Sequence, residues 1–204
     1  MARVRLTKNE LKKQKDDLAR FTRFLPTLEL KKQQLIAEVH RVQAEVAEIE
    51  RQIEATETDV ARWVSVFAEP VEWDGVLKVQ QVRTSTDNVA GIDIPIFDGV
   101  DFEDLTISPF ETPLWLDRGR EAVMEQIRRH AEISVLRRQE EILQDELRIT
   151  VQRIKLFEEI KIPQAKEAIR IIRIFLGDQL TAEIVRGKIS KAKIDAKRRE
   201  AAAS

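Results

Sequence analysis

Residues 11–67 read LKKQKDDLARFTRFLPTLELKKQQLIAEVHRVQAEVAEIERQIEATETDVARWVSVF. Alternate steps of three and four from Leu11 visit Leu11, Gln14, Leu18, Phe21, Leu25, Leu28, Lys32, Leu35, Val39, Val42, Val46, Ile49, Ile53, Thr56, Val60, Trp63 and Phe67. Fourteen of these 17 positions are apolar, over eight heptads. A repeat of 3.5 residues sustained for that long makes a narrow stripe, and a narrow stripe must meet a partner helix along its length. An ordinary globular helix is shorter and has a wider apolar face. Thr7-Lys8-Asn9-Glu10 has the spacing of a capping box and marks the start of the helix. No glycine interrupts residues 1–66, which favours a stiff element.

Outward from this stretch, composition divides the chain into three segments: 1–67, 68–117 and 118–204. The last repeats the helical style. Ile133, Leu136, Leu143, Leu147, Ile154 and Phe157 follow spacings of three, four and seven, and a second stripe after Pro163 runs Ala165, Ile169, Ile172, Leu176. The simplest partner for the first stripe is this returning segment. The expected fold class is therefore mainly α: a long antiparallel two-helix coiled-coil hairpin with a small β-hairpin-containing insert at the turn. A return at about residues 67 and 118 makes facing positions add up to roughly 185. The expected seam comprises Leu18, Phe21, Leu25, Leu28, Leu35, Val39, Val42, Val46, Ile49, Ile53, Val60, Leu136, Leu143, Leu147, Ile154, Ile169, Ile172 and Leu176. Pro26 and Pro163 each remove a backbone donor and crowd the preceding turn. They are expected to bend the two helices at one shared level.

Four of the six prolines and three of the six glycines fall in the middle segment. Val76–Arg83 and Ala90–Phe97 read as strands, the second alternating Ile92, Ile94 and Ile96 with other side chains. Thr84 to Asn88 supplies turn-forming residues between them. Pro95 places its strand at an edge. A lone hairpin is marginal in water, so its apolar side is expected to be covered. Leu105–Asp117 reads as the return loop. Trp73, Phe97, Phe102, Phe110 and Trp115 read as packing residues rather than a binding cage.

Lys and Arg number 35 and Asp and Glu 36, so the formal net charge is only -1. The charge is unevenly placed. Residues 1–23 carry eight basic and three acidic side chains, and residues 185–204 seven and two, a net of +5 each. Residues 68–117 carry two basic and eleven acidic side chains, a net of −9. The hairpin topology brings both termini to one basic end. A chain with no net positive charge is not a general polyanion binder. The basic tail after Phe175 also lacks the interleaved aromatics that stack on bases.

Cysteine is absent, which excludes disulfides, thiolate metal sites and a thiol nucleophile. Two histidines, His40 and His130, are too few for a multi-histidine zinc site. Gly187-Lys188 lacks the rest of a phosphate loop, and neither GxSxG nor HExxH occurs. The cluster Asp98, Asp101, Glu103, Asp104 lacks calcium-loop spacing and reads as a solvated or partner-facing surface. No catalytic residue, cofactor or metal is therefore expected. No apolar run is long enough to span a bilayer, and the N-terminus lacks a secretory core segment.

Four stretches resemble one family: LPTLELKKQQL at 25–35, NVAGIDIP at 88–95, QRIKLFEEIKIP at 152–163 and IRIIRIFLGDQ at 169–179. They are similar to the D subunits of the V-type and A-type rotary ATPases, the central rotor shaft, in their bacterial branch. The likeness covers nearly the whole chain. It departs at Arg153-Ile154-Lys155, where many relatives have Arg-Val-Asn. The resemblance implies a non-catalytic subunit that couples proton or sodium transport to ATP synthesis or hydrolysis. Implied partners are the catalytic A and B subunits around the basic end, the small F subunit of the rotor, and the C/d-type subunit that caps the membrane ring. Lys191, Lys193, Lys197, Arg198 and Arg199 are then candidate contacts with the catalytic ring. The implied location is cytoplasmic and peripheral to the membrane, with no inserted segment and no nucleic acid bound. Without the resemblance, the residues alone also suit a stand-alone coiled-coil scaffold or tether.

Overall fold

The computed structural model describes residues 5–62, 75–103, 113 and 115–203. In order, these form helix α1 (Lys8–Ala61), strands β1 (Val79–Val89) and β2 (Ile92–Phe102), helix α2 (Leu116–Lys155), a π-helical turn (Leu156–Lys161) and helix α3 (Ile162–Ala203). Two helical arms with a two-stranded antiparallel sheet between them in sequence make the chain mainly α. Trp63, Phe67, Trp73, Asp104, Phe110 and most of the expected return loop lie outside the described residues.

α1 begins where the capping box places it. Thr7 Oγ1 accepts the Glu10 amide at 3.2 Å, satisfying one of the free donors of the first turn. The reciprocal half of the box is not made: the Thr7 amide donates to the Arg5 carbonyl at 3.0 Å, and the Glu10 carboxylate accepts from Gln14 Nε2.

The chain forms two compact units, Leu30–Val151 and Met1–Glu29 with Gln152–Ser204. In the first unit, Leu35, Val39, Val42, Ile49 and Ile53 of α1 bury against Ile133, Leu136 and Leu143 of α2. The polar contacts beside this core run antiparallel. Lys31 Nζ meets Glu146 at 2.9 Å, Gln43 meets Glu140 at 2.7 Å, Arg137 meets Glu50 at 2.9 Å and Arg129 meets Thr56 at 2.5 Å. Their position sums of 177, 183, 187 and 185 bracket the value set by the hairpin register.

The sheet covers this seam. Ile94 is 1 % exposed and joins the helical core, and Val89, Ala90 and Ile92 pack against that core. This burial is what an isolated hairpin lacks. The strands are longer than the sequence suggests, and the turn lies elsewhere. Thr84 to Asn88 are strand residues of β1, and the turn is Ala90-Gly91, with φ of 52° and 79°. Two successive positive φ values give a turn whose twist matches that of paired strands. Asn88 Oδ1 accepts the Gly91 amide at 3.0 Å and holds the turn shut. The β-branched residues Thr84 and Thr86 suit a strand better than a turn.

In the second unit, Ile154, Ala165, Ala168, Ile169 and Ile172 are buried. Phe21 of α1 packs on Phe157, ring centroids 5.2 Å apart. Pro26 lies inside α1. Immediately before Pro163 the helix takes its π turn, and the Ile162 amide bonds to the Phe157 carbonyl, five residues back. Pro163 has no amide to give the Glu159 carbonyl, and its ring crowds that carbonyl. A wider turn relieves both problems.

Candidate partner-binding surfaces

Among the described residues, no pocket gathers catalytic side chains, and no group of three or more His, Asp or Glu is placed to hold a metal ion. The acidic residues of the hairpin are paired locally. Asp98 accepts from Ser85 Oγ at 2.9 Å, Asp101 pairs with Arg83 at 3.2 Å and Glu103 with Lys78 at 2.9 Å. His40 is exposed, and His130 lines two shallow grooves.

The seam residues named from the sequence are all turned wholly or partly away from solvent. Leu35, Val39, Val42, Ile49, Ile53, Leu136, Leu143, Ile154, Ile169 and Ile172 are buried. Leu18, Phe21, Leu25, Leu28, Val46, Val60, Leu147 and Leu176 are half-buried. Two polar residues share the interior and were passed over by the stripe. Gln139 falls on the missing step between Leu136 and Leu143, and Thr150 on the step between Leu147 and Ile154. Both are buried. Gln139 Nε2 donates to the Pro95 carbonyl at 2.5 Å, which ties β2 to α2. Among the described residues, Thr150 Oγ1 is buried without a hydrogen-bond partner. The omitted steps were the available signal for both.

Three surfaces remain open among the described residues. On α3, every described side chain from Gly177 to Arg199 is exposed, including Leu180, Ile184, Val185, Ile189 and Ile194. Lys191, Lys193, Lys197, Arg198 and Arg199 share that stretch. A helix with apolar side chains and no packing partner offers a surface for another chain. In the first unit, Val60, Ala61, Val123 and Ile127 line an apolar groove rimmed by Glu57, Gln126 and His130. Strand β1 is exposed from Val79 to Asn88. Arg128 lies over the Phe102 ring, 5.4 Å from its centre, a cation–π contact that holds the base of the hairpin to α2.

Electrostatics add little chemistry. Burial, together with the nearby carboxylates of Glu45 and Glu125, pushes the Glu132 carboxyl above the usual carboxylate range, with Arg129 opposing. Hydrogen bonds and charge from Glu38 and Glu45 keep Arg41 firmly protonated. No described helix is long and apolar enough to cross a membrane.

Comparison with known proteins fits this geometry of long arms and unfilled surfaces. The V-type ATP synthase D subunit of Borreliella burgdorferi is 42 % identical over 201 residues, covering 98 % of each chain. Those of Chlamydia abortus and Chlamydia pneumoniae are 31 % and 32 % identical, covering 98 % and 94 % of this chain and 97 % and 93 % of their own. The family of ATP synthase D subunits matches residues 10–192, so it takes in both arms and the hairpin, and the chain belongs to that family.

Proposed function

We propose that this chain is the central-stalk rotor subunit of a V/A-type rotary ATPase, carrying rotation between an ion-translocating membrane ring and a ring of catalytic A and B subunits. The observation that carries the reading is the likeness, end to end, to a V-type ATP synthase D subunit. The exposed apolar and basic stretch of α3 is the surface offered to the A and B subunits. The small F subunit and the rotor-capping subunit bind nearer the hairpin. The chain acts without a catalytic residue of its own, at the cytoplasmic side and peripheral to the membrane.

Packing supports the mechanical role. Each charge that crosses the membrane supplies about 2.3 kcal/mol per 100 mV, so several must be pooled for each ATP, and the shaft must hold together under that load. Paired helices with a buried seam resist separation, and an asymmetric shaft presents different faces to otherwise equivalent sites. It drives those sites only if it contacts their states with different free energy.

The test is co-purification of the tagged chain with A and B subunits, and measurement of ion pumping in vesicles. Removing the chain is expected to abolish ion-coupled ATP turnover while A and B retain nucleotide binding. A chain that purifies alone, with pumping intact in its absence, would return the reading to a free-standing scaffold.

A further inference from the structure

The inward residues of the second unit do not keep one rhythm. From Ile154 they run Phe157, Ile162, Ala165, Ile169, Ile172, Leu176, in steps of three, five, three, four, three and four, with Ala168 buried beside Ile169. The step of five spans Phe157 to Ile162, the pair joined by the π-type hydrogen bond. A turn of that kind takes in about one residue more than an α-turn. The π turn therefore stores one surplus residue, and the storage decides which face of α3 meets α1.

Had the helix continued without it, steps of three and four from Ile154 would reach Phe157, Lys161, Gln164, Ala168, Ile171 and Phe175. That second stripe carries Lys161 and Gln164 in its first half and is apolar from Ala168 onward; Ala168 is already buried, whereas Ile171 and Phe175 are 41 % and 39 % exposed. The sequence Ala168-Ile-Arg-Ile-Ile-Arg-Ile-Phe-Leu176 thus carries two apolar seams one residue apart. Of residues 156–161 only Phe157 is even half-buried, so little packing fixes the surplus residue there. What pins it is the ring contact of Phe157 on Phe21 and the missing amide of Pro163.

We propose that the π turn at 156–161 is a register joint that holds α3 in one of two alternative seams. Closing the turn to α geometry passes the surplus residue along α3. This turns α3 by about 100° and advances it by about 1.5 Å, the geometry of one residue. Ile171 and Phe175 then replace Ile172 and Leu176 against α1. The exchange brings Lys161 and Gln164 to the places of Ile162 and Ala165 and sets Pro163 inside an α turn, so the π turn is the favoured state and Pro163→Ala narrows the gap to the other. The inference stands on this chain alone and does not depend on the rotor reading.

The absence of cysteine makes the test direct. Single cysteines, Ile171→Cys and Ile172→Cys, are placed in the full-length chain and their alkylation rates compared. In the native background position 172 reacts more slowly than 171. Pro163→Ala restores an amide that bonds Glu159 in α geometry, and the 172-to-171 rate ratio is expected to rise about fivefold, the scale of one net backbone hydrogen bond. Deleting Glu159 in the Pro163→Ala background removes the surplus residue and returns Ile172 to the seam. The ratio then falls to the native value or below, with helicity by circular dichroism unchanged. A ratio that Pro163→Ala does not move, or a deletion that unfolds the chain or fails to restore protection at 172, overturns the joint.

Discussion

At the scale of single residues, the interior contains side chains that work against the fold as well as for it. Thr150 is fully buried, and its hydroxyl has no partner among the described residues. An orphaned hydroxyl costs on the order of 1 kcal/mol or more relative to an apolar group of the same shape. Thr150→Val is therefore expected to stabilise the chain by about 1 kcal/mol in urea unfolding. Leu143→Ala, at a fully buried position, is expected to cost about 2–5 kcal/mol in the same assay. Ala90 adopts a positive φ without being glycine. Ala90→Gly relieves a left-handed conformation that costs an L-residue roughly 1–2 kcal/mol, less the entropy that glycine adds to the unfolded chain. A net gain of about 0.5–1 kcal/mol is expected, read as slower amide exchange in β1 and β2. The Glu132 carboxyl, raised by burial and by Glu45 and Glu125, binds its proton more tightly in the folded state. Its ionisation therefore opposes folding, and the penalty grows as pH rises from the unfolded carboxyl value of about 4.3 through the higher folded value. Glu132→Gln is expected to raise the thermal midpoint at pH 7 and to leave it unchanged near pH 4. The gain is below about 0.5 kcal/mol, because a half-exposed group is screened.

At the scale of elements, helix α1 was legible from residue 8 onward because a 3.5-residue stripe and its cap are local signals that tertiary contacts did not override. The β-hairpin was legible in kind but not in extent. Thr84 to Asn88 have turn chemistry, but β-branched Thr84 and Thr86 also suit a strand, and the chain reverses at Ala90-Gly91, where Asn88 closes the turn and Ile94 packs into the helical core. Two local readings competed over one stretch, and the covering of Ile94 by the helices is the part that no local pattern reports. The π turn was legible only as a broken rhythm. A proline shortly past the break explains a disturbance, but only the spacing of inward residues on both sides shows that one residue is in excess. Gln139 and Thr150 were missed because a search for apolar steps passes over polar ones. Gln139 is the residue that ties sheet to helix, so Gln139→Ala is expected to free the hairpin. The measurement is hydrogen exchange of the β2 amides, accelerated roughly tenfold for a loss of about 1–2 kcal/mol.

At the scale of the whole molecule, the uneven charge is the property that composition totals conceal. A near-neutral chain carries basic termini and an acidic middle. If the α3 tail is guided into a catalytic ring by charge, changing Lys191, Lys193, Lys197, Arg198 and Arg199 to Gln is expected to slow assembly with A and B subunits severalfold at low salt. The difference should shrink above physiological ionic strength, where the screening length falls below about 8 Å. Equal assembly rates at low salt would remove charge guidance from the account. The membership of the family was legible from four short stretches, whereas the residues that face each partner were not, because a surface built for another chain carries its pattern only in combination with that chain.

The bare outer half of α3 also bears on how a cell counts its subunits. Among the described residues, α3 shows leucine, isoleucine and valine to water from Leu180 to Ile194. Copies made in excess of their assembly would keep that sticky strip uncovered, the sort of surface that chaperones hold and proteases reach first. The same feature that equips the chain to be held would mark every unclaimed copy for removal, so its abundance would follow that of its enclosing partners.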